Sequence, residues 1–592
     1  MNKLLASAFY SIEVGRGRAL VRLIPLAIVV AAILIAFDFK INKGFNDMQS
    51  MDNAQLGRQL ERNQGFLTYF IRPYALAQVA AFNARKGQRE LFPESTYPAG
   101  VPRAIPDTYN SPGYPVLLAG FYRVLHVDFD ESADTMGAHR YISGDKWVPF
   151  LNQAFILLTA GVMFLFGLRL FDERVAWMGP VVLLFSDFVW KYSLMALPVS
   201  LLMLLMTVLL FGFAEIYRSG ETLLEEGEKA HLGWGWLAVP GMAVLLGVMC
   251  LLCLPLLVVT LPLVLWLLFL PRTNWLLVPI FVGIVALLVA PWFFHWYQVC
   301  GNPIGSNFTL GLLGQTGYLG NEIYCSRFIP AWDMMLGGTG GKEYNGFFYH
   351  FQHAWELLGS NPMVLLFIAS LLHEFRRKRV RFIQWLVVVL GLAIIAATNL
   401  ADANPSPISS WNLPVVLLPM MIMIGAAFFF VLLDRMVTQL RLLTATVVVG
   451  MLALCLAPIV ISFLQAGSNY YNYPPYLPPY LAYLSRLSPI ESWVTSDMPW
   501  ATAWYGDHPS LWLPDKIDDF TSIYDDDTES DFILFTPVTL SRPAQTLTSG
   551  ELSEWGPLIT GAPIPESFPL RHLAKLPGGG PEYSLLTNRV AR

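Results

Sequence analysis

The sequence predicts a mainly α fold, a polytopic transmembrane helical bundle of about 11 spans with a helical first outer loop and a small C-terminal α/β domain outside. Three observations predict it. Of 592 residues, 55% are hydrophobic and 14% charged, against about 25% charged in soluble domains, so the apolar side chains need lipid as a solvent. They fall in runs that approach the ~20 residues of a membrane span. Lys and Arg collect in alternate short connections, the asymmetry that orients membrane proteins. The net charge of −5 gives no reason to expect nucleic acid as a partner.

The expected spans are Leu20–Phe37, Val148–Leu168, Val175–Val189, Leu194–Phe213, Trp236–Leu252, Leu254–Leu270, Trp275–Trp292, Met363–Leu372, Phe382–Ala397, Leu413–Leu433 and Leu442–Phe463. Arg16, Arg18 and Arg22 flank the first, and no small-residue cleavage site follows it, so it reads as an uncleaved anchor. Met363–Leu372 is short, but removing it would put the basic cluster Arg376–Arg381 outside. Counting Pro112–Leu125 would likewise put Arg169 and Arg174 outside, so that stretch is expected to be a helix on the outer surface. The N-terminus is then cytoplasmic and the C-terminus outside, in the inner (plasma) membrane. A transmembrane domain covers 1–464, with outer loops at 38–147 and 298–362, and an outer domain covers 465–592. In this tail, short strand-like runs such as Trp493–Thr495 and Phe532–Phe535 alternate with polar and helical stretches.

Isolated chemical signals are weak. Cys250 and Cys253 lie within an apolar run and read as small apolar side chains. Cys300 and Cys325 share one outer loop, where a disulfide can survive. His350 and His353 have metal-like spacing but no third ligand. Asp525, Asp526 and Asp527 read as a solvated turn.

Ionisable residues within spans mark transport paths. Here the spans are almost free of charge, while polar and aromatic residues concentrate in the outer regions. That favours chemistry at the outer surface. The first loop holds a short helix from about Met51, closed by Gly65, with Leu56 and Leu60 toward the membrane and Asp52, Gln55 and Gln59 away from it. Asp52-x-x-Gln55 also has the spacing of a capping box, so Asp52 reads either as a cap or as a catalytic carboxylate.

An acidic residue just after the first span, opening a helix that ends in Gly65-Phe66, resembles the type-C integral-membrane glycosyltransferases. That group includes the protein O-mannosyltransferases and the lipid A aminoarabinose transferases. Four further stretches resemble bacterial members in the same order: Tyr109-Asn110-Ser111-Pro112-Gly113-Tyr114-Pro115, Gly167-Leu168-Arg169, Trp411-Asn412-Leu413-Pro414, and Ser496-Asp497-Met498-Pro499-Trp500 with Trp504-Tyr505-Gly506-Asp507. There are departures. Asp52-Asn53 stands where relatives often have Asp-Glu, and Lys191–Ser200 lacks the carboxylate that many carry after the third span.

The resemblance implies a glycosyltransferase that moves a hexosyl or pentosyl unit from a polyprenyl-phosphate-linked donor to an acceptor lipid, glycan or protein at the outer face. Its membrane-lipid partner is the donor itself. No ligand set calls for a divalent metal. Asp52 is the expected general base; a free carboxylate with a pKa of ~3.9 is a weak base that burial strengthens. Arg58, Arg72 and Lys191 are candidates for the departing phosphate, and Asp107 and Tyr109 for sugar binding. Asp107 also reads as a turn-forming residue. A lipid-linked glycan translocator or ligase, or a non-enzymatic membrane scaffold, are the alternatives.

Overall fold

The computed structural model describes residues 16–42, 44–88, 91–92, 101–129, 143–225, 235–268, 275–307, 325–327, 329, 339–402, 405–436, 441–465, 481, 483, 487–542, 544–549, 553–560, 562–576 and 583–587.

The chain enters with α1 (Arg16–Ala36). The first loop holds α2 (Met48–Glu61), β1 (Leu67–Thr68), β2 (Phe70–Ile71), α3 (Pro73–Arg85), β3 (Ile105–Pro106) and α4 (Gly113–Leu125). Then come α5 (Ser143–Leu170), α6 (Glu173–Leu184), α7 (Asp187–Ser193), α8 (Val199–Glu225), α9 (Gly235–Leu252), α10 (Thr260–Leu268) and α11 (Leu277–Cys300). The second half of the bundle is α12 (Thr339–Gln352), α13 (Pro362–Ser370), α14 (Lys378–Ala401), α15 (Leu418–Arg435) and α16 (Arg441–Gln465). Among the described residues seven helices are long and apolar enough to cross a membrane, and two shorter apolar ones lie at Ala238–Leu252 and Leu254–Leu268. Segments α10 and α15 begin as tight 3-10 turns, where Pro255 and Pro414 fall in the first turn and need no backbone donor.

Every expected apolar segment contains a helix, with adjusted bounds; the fourth begins at Val199 rather than Leu194. The third stops at Leu184 rather than Val189, and Asp187 opens a separate short helix. Trp190 Nε1 donates to the Leu184 carbonyl at 2.8 Å and satisfies the end of α6. The short segment α13 has nine residues and packs on α15, which belongs to the most buried of the seven long apolar helices among the described residues. A Cβ added at Gly425 would lie 2.1 Å from the Met363 carbonyl oxygen, so only glycine admits this approach.

The stretch Gly113–Leu125 is a helix packed on α2, not a separate crossing; a Cβ at Gly57 would meet Leu118 Cβ at 2.9 Å. Helix α2 corrects three expectations. Its cap is Asp47, whose Oδ2 accepts from Ser50 N at 2.9 Å, so Asp52 lies inside the helix and is not a cap. It ends at Asn63 (φ 59°), with Asn63 N bonded to Leu60 O and Gln64 N to Gln59 O, before Gly65 is reached. Every side chain from Ser50 to Gln59 is buried, so no polar face is left to solvent.

The tail adds β4 (Trp493–Ser496), α17 (Pro499–Tyr505), β5 (Ser510–Trp512), α18 (Ile517–Asp526), β6 (Ser530–Phe535), β7 (His572–Leu576) and β8 (Tyr583–Thr587). They form a six-stranded sheet of order β2-β5-β4-β6-β8-β7. Its first four strands are parallel, and β8 and β7 are antiparallel to their neighbours. Edge strand β2 comes from the first loop, with Phe70 opposite Ser510 and Ile71 opposite Leu511. Phe70 also packs on Trp500 and Trp512, at ring distances of 5.9 and 5.4 Å. The pairing puts the first loop and the tail on one side, which requires an even number of crossings between them.

No disulfide joins Cys300 and Cys325. The Cys300 thiol donates to the Trp296 carbonyl at 3.3 Å, and Cys325 is packed in the core beneath the sheet. The acidic run is not wholly solvated: Arg327 lies 3.8 Å from Asp526 and 3.6 Å from Asp527.

Candidate active site

Four of the residues singled out in the sequence meet at one place. Asp52 is fully buried on α2, and its Oδ2 lies 2.7 Å from Arg72 Nη2. The same oxygen accepts from Asn110 Nδ2 at 2.9 Å, and Oδ1 accepts from Gln55 Nε2 at 3.0 Å. Gln55 is itself fixed, because its Oε1 accepts from Tyr69 N at 3.1 Å. The Asp-x-x-Gln spacing thus places two side chains on one helix face, where they hold each other and not the helix end.

Arg72 closes the short strand β2. Its guanidinium lies 3.9 Å from the ring centre of Phe70 and 3.8 Å from that of Tyr109, a cation between two aromatic faces. Burial works against its charge, but Asp52, Tyr109 and Asp107 outweigh that, and its pKa lies above the ordinary arginine value. Arg72 Nε is buried and has no hydrogen-bond partner among the described residues.

Asp107 sits in the turn between β3 and α4. Its Oδ2 accepts from Tyr109 N at 3.2 Å and Asn110 N at 2.6 Å, and Oδ1 accepts from Asn110 Nδ2 at 3.2 Å. It therefore forms the turn and contacts the site at once. Burial, and then the charge of Asp52, push its pKa up. Asn110 thus bridges two carboxylates, one of which carries a guanidinium. The second outer loop braces this turn: Ser306 N donates to Thr108 O at 2.8 Å, and Asn307 Nδ2 to Tyr109 O at 3.4 Å.

In front of this cluster lies a cavity. Its wall includes Gln49, Asn53, Tyr109, Asn110, Ser111, Trp296, Asn307, Ser410 and Trp411. Asp52 lies one hydrogen bond behind this wall, through Asn110. Gln49 Nε2 donates to Asn110 Oδ1, which fixes the orientation of that amide. An apolar groove, lined by Leu257, Val258 and Phe293, shares Leu254, Pro255 and Ile304 with the cavity and so continues it.

Arg58 and Lys191 lie elsewhere. Arg58 is 1% exposed, with Nη1 donating to Trp504 O at 2.8 Å and Nη2 to Ala503 O at 2.7 Å, and it pairs with Asp507 at 3.0 Å. Lys191 Nζ lies 2.6 Å from Asp187 Oδ2 and donates to Ser462 Oγ at 3.1 Å. Asp187, within the expected third apolar segment, opens α7 and is the partner of Lys191 one turn on. His350 and His353 each place Nδ1 against the carbonyl four residues earlier, and no group of three or more metal-ligating side chains occurs among the described residues.

Sequence reasoning missed much of the cavity wall. Asn110 and Trp411 belong to motifs already singled out, but Gln49, Asn307 and Ser410 carry no local signature. Trp296 was hidden inside an apolar helix.

No family model matches the sequence, and no characterised protein matches it by sequence comparison. Solved structures do. ArnT from Cupriavidus metallidurans bound to undecaprenyl phosphate is 12% identical, with a TM-score of 0.52 over 96% of this chain and 98% of that one. The archaeal oligosaccharyltransferase AglB from Archaeoglobus fulgidus, in complex with an inhibitory peptide and a dolichol-phosphate, is 9% identical, with a TM-score of 0.53 over 90% of this chain and 72% of that one. This chain shares the multi-pass fold of these solved structures, over 96% of its length with ArnT and 90% with AglB.

Proposed function

We propose that the protein is a glycosyltransferase that moves a sugar from a polyprenyl-phosphate-linked donor to an acceptor at the outer face of the membrane, with Asp52 as general base. The observation that carries this reading is the continuity of three environments. A buried carboxylate–guanidinium pair lies behind a cavity whose described lining mixes amides and hydroxyls with apolar and aromatic side chains, and the cavity runs on into an apolar groove. A lipid-linked sugar carries its phosphodiester between the sugar ring and the apolar chain, so a chain in the groove brings phosphate and sugar into the adjoining cavity, in front of the Asp52–Arg72 pair. The structural neighbours were solved with undecaprenyl phosphate and with dolichol-phosphate, which supports a lipid carrier here. The basic connections of the sequence support an outward-facing first loop.

In the resting arrangement Asp52 Oδ2 is held by Arg72 and Asn110. Asn110 is the partner that faces the cavity. An acceptor hydroxyl that displaces its amide from Oδ2 comes within hydrogen-bond reach of the base, about 2.6–3.2 Å. Of the three basic candidates, Arg72 is the one beside the cavity wall, stacked on Tyr109, and its unpartnered Nε can take a leaving phosphate oxygen. Asp107 and Gln55 position this pair. The acceptor class, lipid, glycan or protein, is left to the assay.

The test is transfer from a polyprenyl-phosphate sugar by purified Asp52→Asn protein. Loss of one positioned base is expected to slow transfer about 10²–10⁴-fold, with the melting temperature as a folding control. Normal transfer by folded Asp52→Asn would remove Asp52 as the base. Wild-type protein that moves the lipid-linked sugar across vesicles without cleaving it would instead identify a translocator.

A further inference from the structure

The cavity has two chemically different ends. Toward the Asp52 cluster stands an acceptor: Gln49 Oε1 is buried without a partner among the described residues, while its Nε2 donates to Asn110 Oδ1. Toward the apolar groove stand donors. Trp296 lines the cavity one helical turn from Phe293, which lines the groove. Its indole Nε1–H is buried and has no partner among the described residues, and an indole N–H can only donate. Ser111 lines the cavity too, and its Oγ accepts at 3.1 Å from the N–H of Leu254, a residue of both cavity and groove. That bond uses a lone pair, so the hydroxyl hydrogen is the part of Ser111 that can serve a ligand. The turn that carries the site also holds the indole. Gly305 (φ 70°) lies against it: a Cβ there would meet indole Cδ2 and Cε2 at 3.1 Å and Thr108 O at 2.7 Å. The next residue, Ser306, donates its N–H to that same Thr108 carbonyl.

From this we infer that Trp296 and Ser111 bind the donor's phosphate, their N–H and O–H holding it where the groove meets the cavity. This rests on the lipid-linked-donor reading above. A chain lying in the groove brings its phosphate to this junction and its sugar onward toward Gln49. Phosphate oxygens only accept, so they suit Trp296 and Ser111 and are repelled by Gln49 Oε1, which instead suits a sugar hydroxyl. In transfer, the bond from the sugar's anomeric carbon to the phosphate oxygen breaks as the acceptor oxygen bonds to that carbon and Asp52 takes its proton. The electron pair of the broken bond stays on the phosphate oxygen, and donors already in place there stabilise the added charge.

The experiment measures binding of two probes to the full-length protein in nanodiscs: farnesyl phosphate, which mimics the leaving group, and farnesol, its neutral counterpart. Wild type is expected to bind farnesyl phosphate ~100-fold tighter than farnesol, the worth of two hydrogen bonds to a charged acceptor. Trp296→Phe keeps an aromatic ring and removes the N–H. Ser111→Ala removes the hydroxyl. Each should weaken farnesyl phosphate binding ~10-fold and leave farnesol binding unchanged, which also shows that the variant is folded. Equal losses for both probes would mean that the side chain only packs, and would overturn its assignment. Farnesyl phosphate binding that neither variant weakens overturns the inference and leaves the lipid-donor reading standing. Wild type that binds farnesyl phosphate no tighter than farnesol, or binds neither, sinks the lipid-donor reading and the inference with it.

Discussion

Arg58→Met is the most discriminating perturbation of the architecture. The guanidinium is buried between α2 and α17 and donates to the carbonyls of Ala503 and Trp504 at 2.7 and 2.8 Å. Its ring contacts, 4.8 Å to Trp504 and 5.8 Å to Phe129, enclose it further. Burial pushes its pKa below the ordinary arginine value, and Asp507 offsets part of this. Each charge-assisted bond contributes roughly 1.5–3 kcal/mol. The Asp507 pair adds little, because that carboxylate is 31% exposed and screened by water. Losing both carbonyl bonds should therefore cost about 3–5 kcal/mol of docking between first loop and tail. That predicts a fall of at least ~10²-fold in amide-exchange protection over Pro499–Asp507, at about 1.4 kcal/mol per tenfold. Arg58→Lys should behave almost as badly, since an ammonium cannot span both carbonyls with a planar fork. A phosphate-binding Arg58 would give the opposite pattern: unchanged protection, a raised KM for the lipid donor, and substantial rescue by lysine. That pattern would refute the structural role assigned here.

Two further perturbations test the packing and the site. Gly425→Ala places a methyl 2.1 Å from the Met363 carbonyl; it should destabilise the α13–α15 contact by about 1–3 kcal/mol, read as a lower melting temperature, and an unchanged melt would refute the close approach. Asp107 has a raised native pKa, with burial as the larger cause and the Asp52 charge next. Its stabilising contribution is complete below the unfolded value of ~3.9 and is lost as pH rises through the native value. Asp107→Asn should therefore gain melting temperature relative to wild type between pH 5 and pH 8. A difference that is flat, or that reverses sign, over this range contradicts the burial of an acid-favouring carboxyl.

Much of this was legible in the sequence because it is written locally. Eleven apolar segments announce themselves by composition, and each contains a helix. Asp52, Arg72, Asp107 and Tyr109 could each be singled out within the first loop, but the sequence did not set Arg72 apart from Arg58 and Lys191. What stayed hidden depends on long-range partners. Phe70–Ile71 is a two-residue strand, too short to show alternation, and pairs with residues near the other end of the chain. Arg58 and Arg72 look equivalent as loop arginines. Only tertiary packing gives one to the backbone carbonyls of α17 and the other to Asp52. Asp52 read as a cap because an i, i+3 Asp–Gln pair serves a helix start or a helix interior equally well. The true cap, Asp47, lies five residues earlier, in front of the expected start.

Strand β2 also bears on how the molecule is made. Its partner β5 is synthesised only after the whole bundle has been threaded into the membrane. Until then the hydrogen-bonding edge of Phe70–Ile71 and the backbone leading into Arg72 have no mate. A nascent chain stalled before Ser510 would carry every bundle helix and every residue of the candidate site, yet leave an open strand edge that invites mispairing. Pairing with β5 thus anchors the backbone that leads into Arg72, although the Asp52–Arg72 pair itself lies wholly within the first loop.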